Sequence, residues 1–323
     1  MRQSRNITKY IFIIMQIILA EPRGFCAGVT RAIEIVERAL QKFGKPIYVR
    51  HEIVHNKFVV EDLRKKGAIF VENIADIPAD SLVIFSAHGV SNQVENEAKN
   101  KGLKIIDATC PLVSKVHREA KKYGDDDYEI ILIGHKGHPE VEGTSGRVSK
   151  PVILVSNEAE AREIEIKNSS KIAYVTQTTL SVDDAKKIVD ILEQRFPEMQ
   201  RGLATKDICY ATQNRQDAVR ELAQKVDLLL VLGSQNSSNS NRLRDLGAES
   251  IPSYLINDSS EIKPEWLLNL NNIGITAGAS APEILVEEVI SKIKELVSDD
   301  VEVKGMDGIK ENIQFALPKE VRN

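Results

Sequence analysis

The chain has 323 residues, 42% hydrophobic and 28% charged, with 43 basic side chains against 47 acidic ones for a net charge of −4. That length suits two or three domains of roughly 150 residues, and so ordinary a composition excludes disordered and fibrous classes. The charge gives no footprint for nucleic acid or for bulk binding to a membrane, while three cysteines are too few to staple a domain of this size, which argues for a reducing compartment, the cytosol, and a chemical use of the sulfurs.

From the amino end, MRQSRNITK and then YIFIIMQIILA have the basic and apolar parts of a signal peptide. The apolar run is about 11 residues, against about 20 needed to span a bilayer, and no small-x-small cleavage site precedes Arg23. Residues 1–14 are therefore expected to be an extension without a part in the chemistry, with Met15 as the true start and MQIILA as the first buried strand. Further strands are predicted at PIYVR, LVIFSA, KIIDAT, EIILIG, VILVS, IAYVTQ, DICYA, LLLVLG, SYLIN and IGITAG. Helices are predicted over Arg31 to Lys42, Gln93 to Lys101, Ser114 to Lys122, Val182 to Arg195, Arg215 to Lys225 and Pro282 to Leu296. Apolar runs alternating with helices are the signature of an α/β fold with mainly parallel sheets.

One pattern returns three times: a strand, a cysteine, then a helix start, in RGFCAGV, ATCPLV and ICYATQNR. It predicts three pseudo-symmetric small α/β modules, over 15–110, 111–203 and 204–296, followed by a tail over 297–323. Each module offers one cysteine from the carboxyl end of a strand, where open α/β sheets place their ligands. A helix mouth favours a thiolate, and zinc sites commonly pair cysteines at C-x-x-C spacing, which is lacking here. Cys26, Cys110 and Cys209 meeting at one centre would hold a metal cluster with one iron free of protein thiolate.

Among the six histidines, His55, His88 and His138 follow strands in IVHN, SAHGV and GHPE, whereas His51, His117 and His135 are read as structural. His138 and Glu140, two apart in a segment read as extended, would project to one side and could relay a proton. The loop GSQNSSNSNRL after the apolar LLLVLG strand sets hydroxyls and amides ahead of a helix, Ser280 does so in TAGASAPEIL, and Thr178 adds a hydroxyl in TQTTLS. Such neutral donors suit an anion, and a diphosphate fits the set. Asp125 to Asp127 read as a solvated turn, and no Walker sequence, G-x-G-x-x-G or prenyl-synthase aspartate cluster is present.

Together PRGFCAGV, VRHEIVHN, FSAHGVS, DATCPLV, GHPEVEGT, TQTTLSVDD, DICYATQNRQ, NSSNSNRL and TAGASAPE, in that order from Met15 to about residue 310, resemble the 4-hydroxy-3-methylbut-2-enyl diphosphate reductases, which close the methylerythritol phosphate route to isoprenoids. The resemblance implies three pseudo-symmetric α/β modules around a central iron-sulfur cluster, with Cys26, Cys110 and Cys209 ligating [4Fe-4S]. It further implies Glu140 as proton source and Thr178 and His138 orienting the substrate hydroxyl. His55, His88, Ser237, Ser238, Asn239 and Ser280 would hold the diphosphate, with Asn239 also helping to place Glu140. The implied reaction removes an allylic hydroxyl with two electrons and two protons, fed by a ferredoxin or flavodoxin in the cytoplasm. Thr30 and Gln235 depart from the family pattern, which often has aspartate and lysine there. Two rivals stand beside this reading: a zinc hydrolase with Glu140 as base, and a non-catalytic cluster sensor.

Overall fold

Residues 15–201 and 207–322 are described in a computed structural model; the expected extension over 1–14 and the boundary between 203 and 204 lie outside them. In chain order the elements are β1 (Gln16–Leu19), α1 (Ala27–Phe43), β2 (Ile47–Arg50), α2 (Lys57–Lys66), β3 (Ala68–Val71), β4 (Leu82–Phe85), α3 (Asn92–Asn100) and β5 (Lys104–Asp107). Then come α4 (Pro111–Asp125), β6 (Glu129–Ile133), α5 (Pro139–Ser145), β7 (Ile153–Val155), α6 (Glu158–Glu163), β8 (Ile172–Thr176), α7 (Val182–Arg195) and β9 (Gln200–Arg201). The last group is α8 (Tyr210–Ala223), β10 (Leu228–Leu232), α9 (Ser238–Ala248), β11 (Ser253–Ile256), β12 (Asn272–Ala277), α10 (Glu283–Leu296) and β13 (Glu302–Gly305). No helix among the described residues is long and apolar enough to cross a membrane.

The strands form three sheets, ordered β3-β2-β4-β5, β7-β6-β8-β9 and β11-β10-β12-β1-β13, and every pairing among the described residues is parallel. The first four positions of each sheet repeat one connectivity, so the α/β fold has the expected threefold pseudo-symmetry. Period-two alternation explains why central strands are apolar throughout: Leu228, Leu230 and Leu232 pack with Val286, Val289 and Ile293 of α10, while Leu229 and Val231 meet Val219 and Leu222 of α8 and Leu243 of α9.

Three sequence expectations change. The first strand lies in the third sheet, where β1 pairs with β12 and β13, and β13 comes from the segment read as tail. A strand as buried as Ile17 to Leu19 needs ladder partners on both sides, which the first module's own sheet order does not offer it. DICYA is no strand; Cys209 opens α8, so that helix starts before the expected Arg215. The segment read as extended around His138 is the first turn of α5, with His138 as its N-cap and Pro139 at the first position. Beyond these, α2 and β3 went unread, although Asn56 caps α2 by accepting the Val59 N–H at 3.1 Å.

Past β13 the chain crosses back over the molecule. Met306 N–H donates to Leu19 O, Glu311 pairs with Arg215 at 3.1 Å, Ala316 O accepts from Arg31 Nε at 2.8 Å, and Leu317 and Val321 pack against the apolar side of α1. Arg215 is 1% exposed, so its charge depends on that partner. Glu311→Ala is predicted to cost about 3 to 5 kcal/mol, measured by denaturant unfolding, because it strands a buried cation. Pairing it with Arg215→Met should recover most of the loss; a double variant no better than Glu311→Ala would show the pair is not coupled.

Candidate active site

All the candidate residues sit at carboxyl ends of strands, and the three cysteines repeat one geometry. Cys26, Cys110 and Cys209 are the N-cap residues of α1, α4 and α8. Their backbone N–H groups donate to Ala279 O at 3.2 Å, Ala87 O at 3.0 Å and Thr178 O at 3.1 Å, each acceptor two residues beyond the end of β12, β4 or β8. The three thiols are free and line a common cavity of about 100 Å³. Gly28 keeps the centre open: a methyl group on its Cα would lie 2.7 Å from Cys110 Sγ and 3.8 Å from Cys26 Sγ. Cys209 Sγ meets the Thr212 hydroxyl at 3.1 Å and the Thr212 N–H at 3.4 Å.

Burial pushes the Cys110 thiol up to about 12 and Cys209 up to about 11, with the charge of Cys26 adding to both. The N–H groups of Leu112, Val113 and Thr212 pull the other way, as expected of helix mouths, but burial outweighs them. Thiolates at these positions need a cation between them. A soft, three-cornered sulfur donor set with open space beside it suits an iron-sulfur group, and the residues present fit one.

Across the cavity, Glu140 is buried in the first turn of α5. Its Oε1 accepts the Thr178 N–H at 2.7 Å and its Oε2 the Thr178 hydroxyl at 2.9 Å. Burial raises its pKa to about 7, against the lowering effect of both bonds. His138 Nδ1 accepts the Glu140 N–H at 3.2 Å, which puts the proton of the neutral ring on Nε2. Burial lowers the His138 pKa to about 3, with His55 next among the causes.

His55 stacks on His88 with centroids 4.1 Å apart, and His138 approaches both edge-on, at 5.4 and 5.8 Å. His88 is held well below the usual histidine range by burial first and then by His55, His138 and His51. Burial and the neighbouring rings thus disfavour a charge on His88 and His138. The opposite wall is the start of α9, where Ser237 caps the helix by accepting the Ser240 N–H, and Ser238 Oγ donates to Thr179 O at 3.3 Å. Asn239 is 4% exposed, and neither Oδ1 nor Nδ2 has a protein partner. A buried amide left wholly unpaired costs a few kcal/mol, so this one points to a ligand. Ser280 Oγ already donates to His55 O at 2.8 Å, so toward a ligand it is free only to accept.

Every candidate residue named from the sequence thus reaches the same cavity. His51, read as structural, stands 5.7 Å from the His55 ring and 6.0 Å from His88, and its Nδ1 lies 2.9 Å from Glu72. Ring nitrogens of His51, His55 and His88 lie within 4.8 Å of one another. The signal was the pair of histidines four apart in VRHEIVHN. Thr212 and Asn236 also went unread; Asn236 Nδ2 donates to Glu52 Oε2 at 2.8 Å beside His55. His117, buried against Gly89 and Gly143, and the exposed His135 lie outside the cavity, as do the solvated Asp125 to Asp127. Thr30 and Gln235 are exposed, and α1 has no acidic residue in its first turn.

Residues 17–294 match the family described as LytB protein. The 4-hydroxy-3-methylbut-2-enyl diphosphate reductase of Marinobacter nauticus is 57% identical over 314 residues, covering 95% of this chain and 98% of that one. A second reductase so named, from Bradyrhizobium diazoefficiens, is 55% identical over 308 residues, covering 95% and 99%. Among solved structures, the E-1-hydroxy-2-methyl-but-2-enyl-4-diphosphate reductase of Plasmodium falciparum superposes with a TM-score of 0.90 at 40% identity, over 95% of this chain and 97% of that one.

Gly28→Ala is predicted to leave the fold intact by thermal unfolding while forcing Cys110 Sγ aside, so that the purified protein carries less metal. Undiminished metal would show that the sulfurs have room to spare.

Proposed function

The chain belongs to the LytB protein family, and from that premise we infer that it is an enzyme reducing 4-hydroxy-3-methylbut-2-enyl diphosphate, the last step of the methylerythritol phosphate route to isoprenoids. Two electrons and two protons remove the allylic hydroxyl as water and leave isopentenyl and dimethylallyl diphosphates. The observation that carries the reading is the meeting, in one cavity, of three free cysteines with a buried carboxyl and an unpaired buried amide. Cys26, Cys110 and Cys209 are assigned to an iron-sulfur group of the [4Fe-4S] type, which when bound supplies single electrons and a Lewis-acidic iron for the hydroxyl.

The remaining steps fall to the chain's own side chains. When its carboxyl, with a pKa near 7, takes up a proton on Oε2, the bond that Thr178 Oγ1 donates to that oxygen reverses and Glu140 becomes the donor. It can pass this proton to Thr178 Oγ1 while that hydroxyl gives its own to the departing oxygen, a short relay needing no water. His138 Nε2–H, fixed by the bond at Nδ1, donates toward the same oxygen. Asn239 supplies its free amide to the same cavity, Ser237 and the N-terminus of α9 offer donors to the diphosphate, and Ser238, whose hydroxyl donates to Thr179 O, can only accept. None of the described residues lining the cavity is Lys or Arg, so neutral donors and the histidines His55 and His88 bind the anion. Electrons come from a one-electron donor such as a ferredoxin or flavodoxin, since an iron-sulfur group passes electrons singly.

Protein purified without oxygen should carry about four iron and four sulfide per chain, absorb near ~400 nm and turn over with a reduced donor. A colourless, zinc-loaded enzyme would favour the hydrolase, and a cluster without turnover would favour the sensor. Glu140→Gln should keep the colour and lose turnover by about 100-fold or more. In the unaltered enzyme turnover should fall as pH rises through about 7, because the raised carboxyl is protonated only below that value; a flat profile would place the proton donor elsewhere.

Histidines held neutral by burial gain protons when an anion arrives. Calorimetry with inorganic pyrophosphate in buffers of different ionisation heat should show proton uptake by the protein and weaker binding as pH rises. Binding without proton exchange would remove the histidines from that role.

A further inference from the structure

Each cysteine is followed, five or six residues on in its helix, by a cation: Arg31 after Cys26, Lys115 after Cys110 and Arg215 after Cys209. Each cation reaches the segment just ahead of the next cysteine in the cycle. Arg31 Nη1 donates to Ala108 O at 3.3 Å and Thr109 O at 3.1 Å, directly before Cys110. Lys115 Nζ donates to Asp207 Oδ1 at 3.2 Å, two residues before Cys209, and the other oxygen of that buried carboxylate accepts the Thr176 N–H. Arg215 donates from Nε and Nη2 to Gly24 O at 3.1 and 2.8 Å, two residues before Cys26. In each module the cation thus ties the first helix to the segment leaving the last strand, so the cysteine that opens the module and the one that follows it are held at a fixed separation.

We propose that Arg31, Lys115 and Arg215 are a pseudo-threefold ring of positioning residues that sets the spacing of the three sulfurs and places a positive charge behind each of them. The ring rests on the iron-sulfur reading above and assigns function to residues outside the cavity lining. Each cation has a carboxylate beside it: Asp107 acts on Arg31, Asp207 pairs with Lys115, and Glu311 pairs with Arg215. Removing a cation therefore also uncovers a negative charge near the sulfurs, and both changes make reduction of the bound group harder. The C-terminal crossing secures two of the three members, through Ala316 O on Arg31 and Glu311 on Arg215.

The test compares Arg31→Gln and Lys115→Gln with the charge-keeping Arg31→Lys and Lys115→Arg in the iron-loaded protein. Lys115 is 30% exposed, so its variants should fold even where Arg31→Gln does not. The expected result is iron loss to a chelator faster by about tenfold or more in the Gln variants, with a more negative midpoint potential that the charge-keeping variants restore. Rate and potential equal to the unaltered protein in both Gln variants overturn the ring. Faster loss with an unmoved potential and a matching fall in the apoprotein's thermal midpoint is plain loss of stability, and overturns it too. Unaltered protein that takes up no iron and sulfide overturns the proposed function and the ring with it, and is told apart because the parent chain itself fails.

Discussion

Cys110 and Cys209, set beside Cys26 in one cavity, cannot ionise unaided, and most of the molecule answers to that constraint. Desolvation and the field of Cys26 hold Cys110 and Cys209 far above neutrality. Helix mouths reduce the penalty without cancelling it. A cationic group between the sulfurs is what makes the arrangement stable, so cofactor retention and the geometry of the module junctions are one problem. The same burial acts on the facing wall, where it raises Glu140 and favours the neutral forms of His88 and His138.

The site was legible from the sequence where a local rule coincided with the tertiary role. A cysteine between a strand and a helix start reads as an N-cap, and all three are. A run of serines and asparagines after an apolar strand reads as a helix-borne donor set, and Ser237 caps α9. Local rules failed where neighbours decide. Ile208, Cys209 and Tyr210 favour a strand by type, yet Asp207 is taken by Lys115 and Thr176, and the chain turns directly into α8. His138 and Glu140 were read on the wrong backbone, because Pro139 starts a helix of 7 residues that the short apolar pattern could not announce.

His51 shows a different limit. It adopts a positive φ of 61° after β2, and whether its ring meets His55 and His88 depends on how β2 and β4 register in their sheet. No property of VRHEIVHN alone contains that register. The membership of β1 is likewise a matter of pairing: its apolar pattern is the same whichever sheet receives it, and only the slot between β12 and β13 satisfies both of its edges.

That slot ties the two ends of the chain together. During synthesis residues 16–19 leave the ribosome early, but their ladder partners, β12 and β13, follow 256 and 286 residues later (Gln16 to Asn272 and to Glu302) at about 5 to 20 residues per second. For that interval an apolar segment waits with both edges bare, while the first and second sheets already have every strand they need. Assembly is therefore closed last at its beginning.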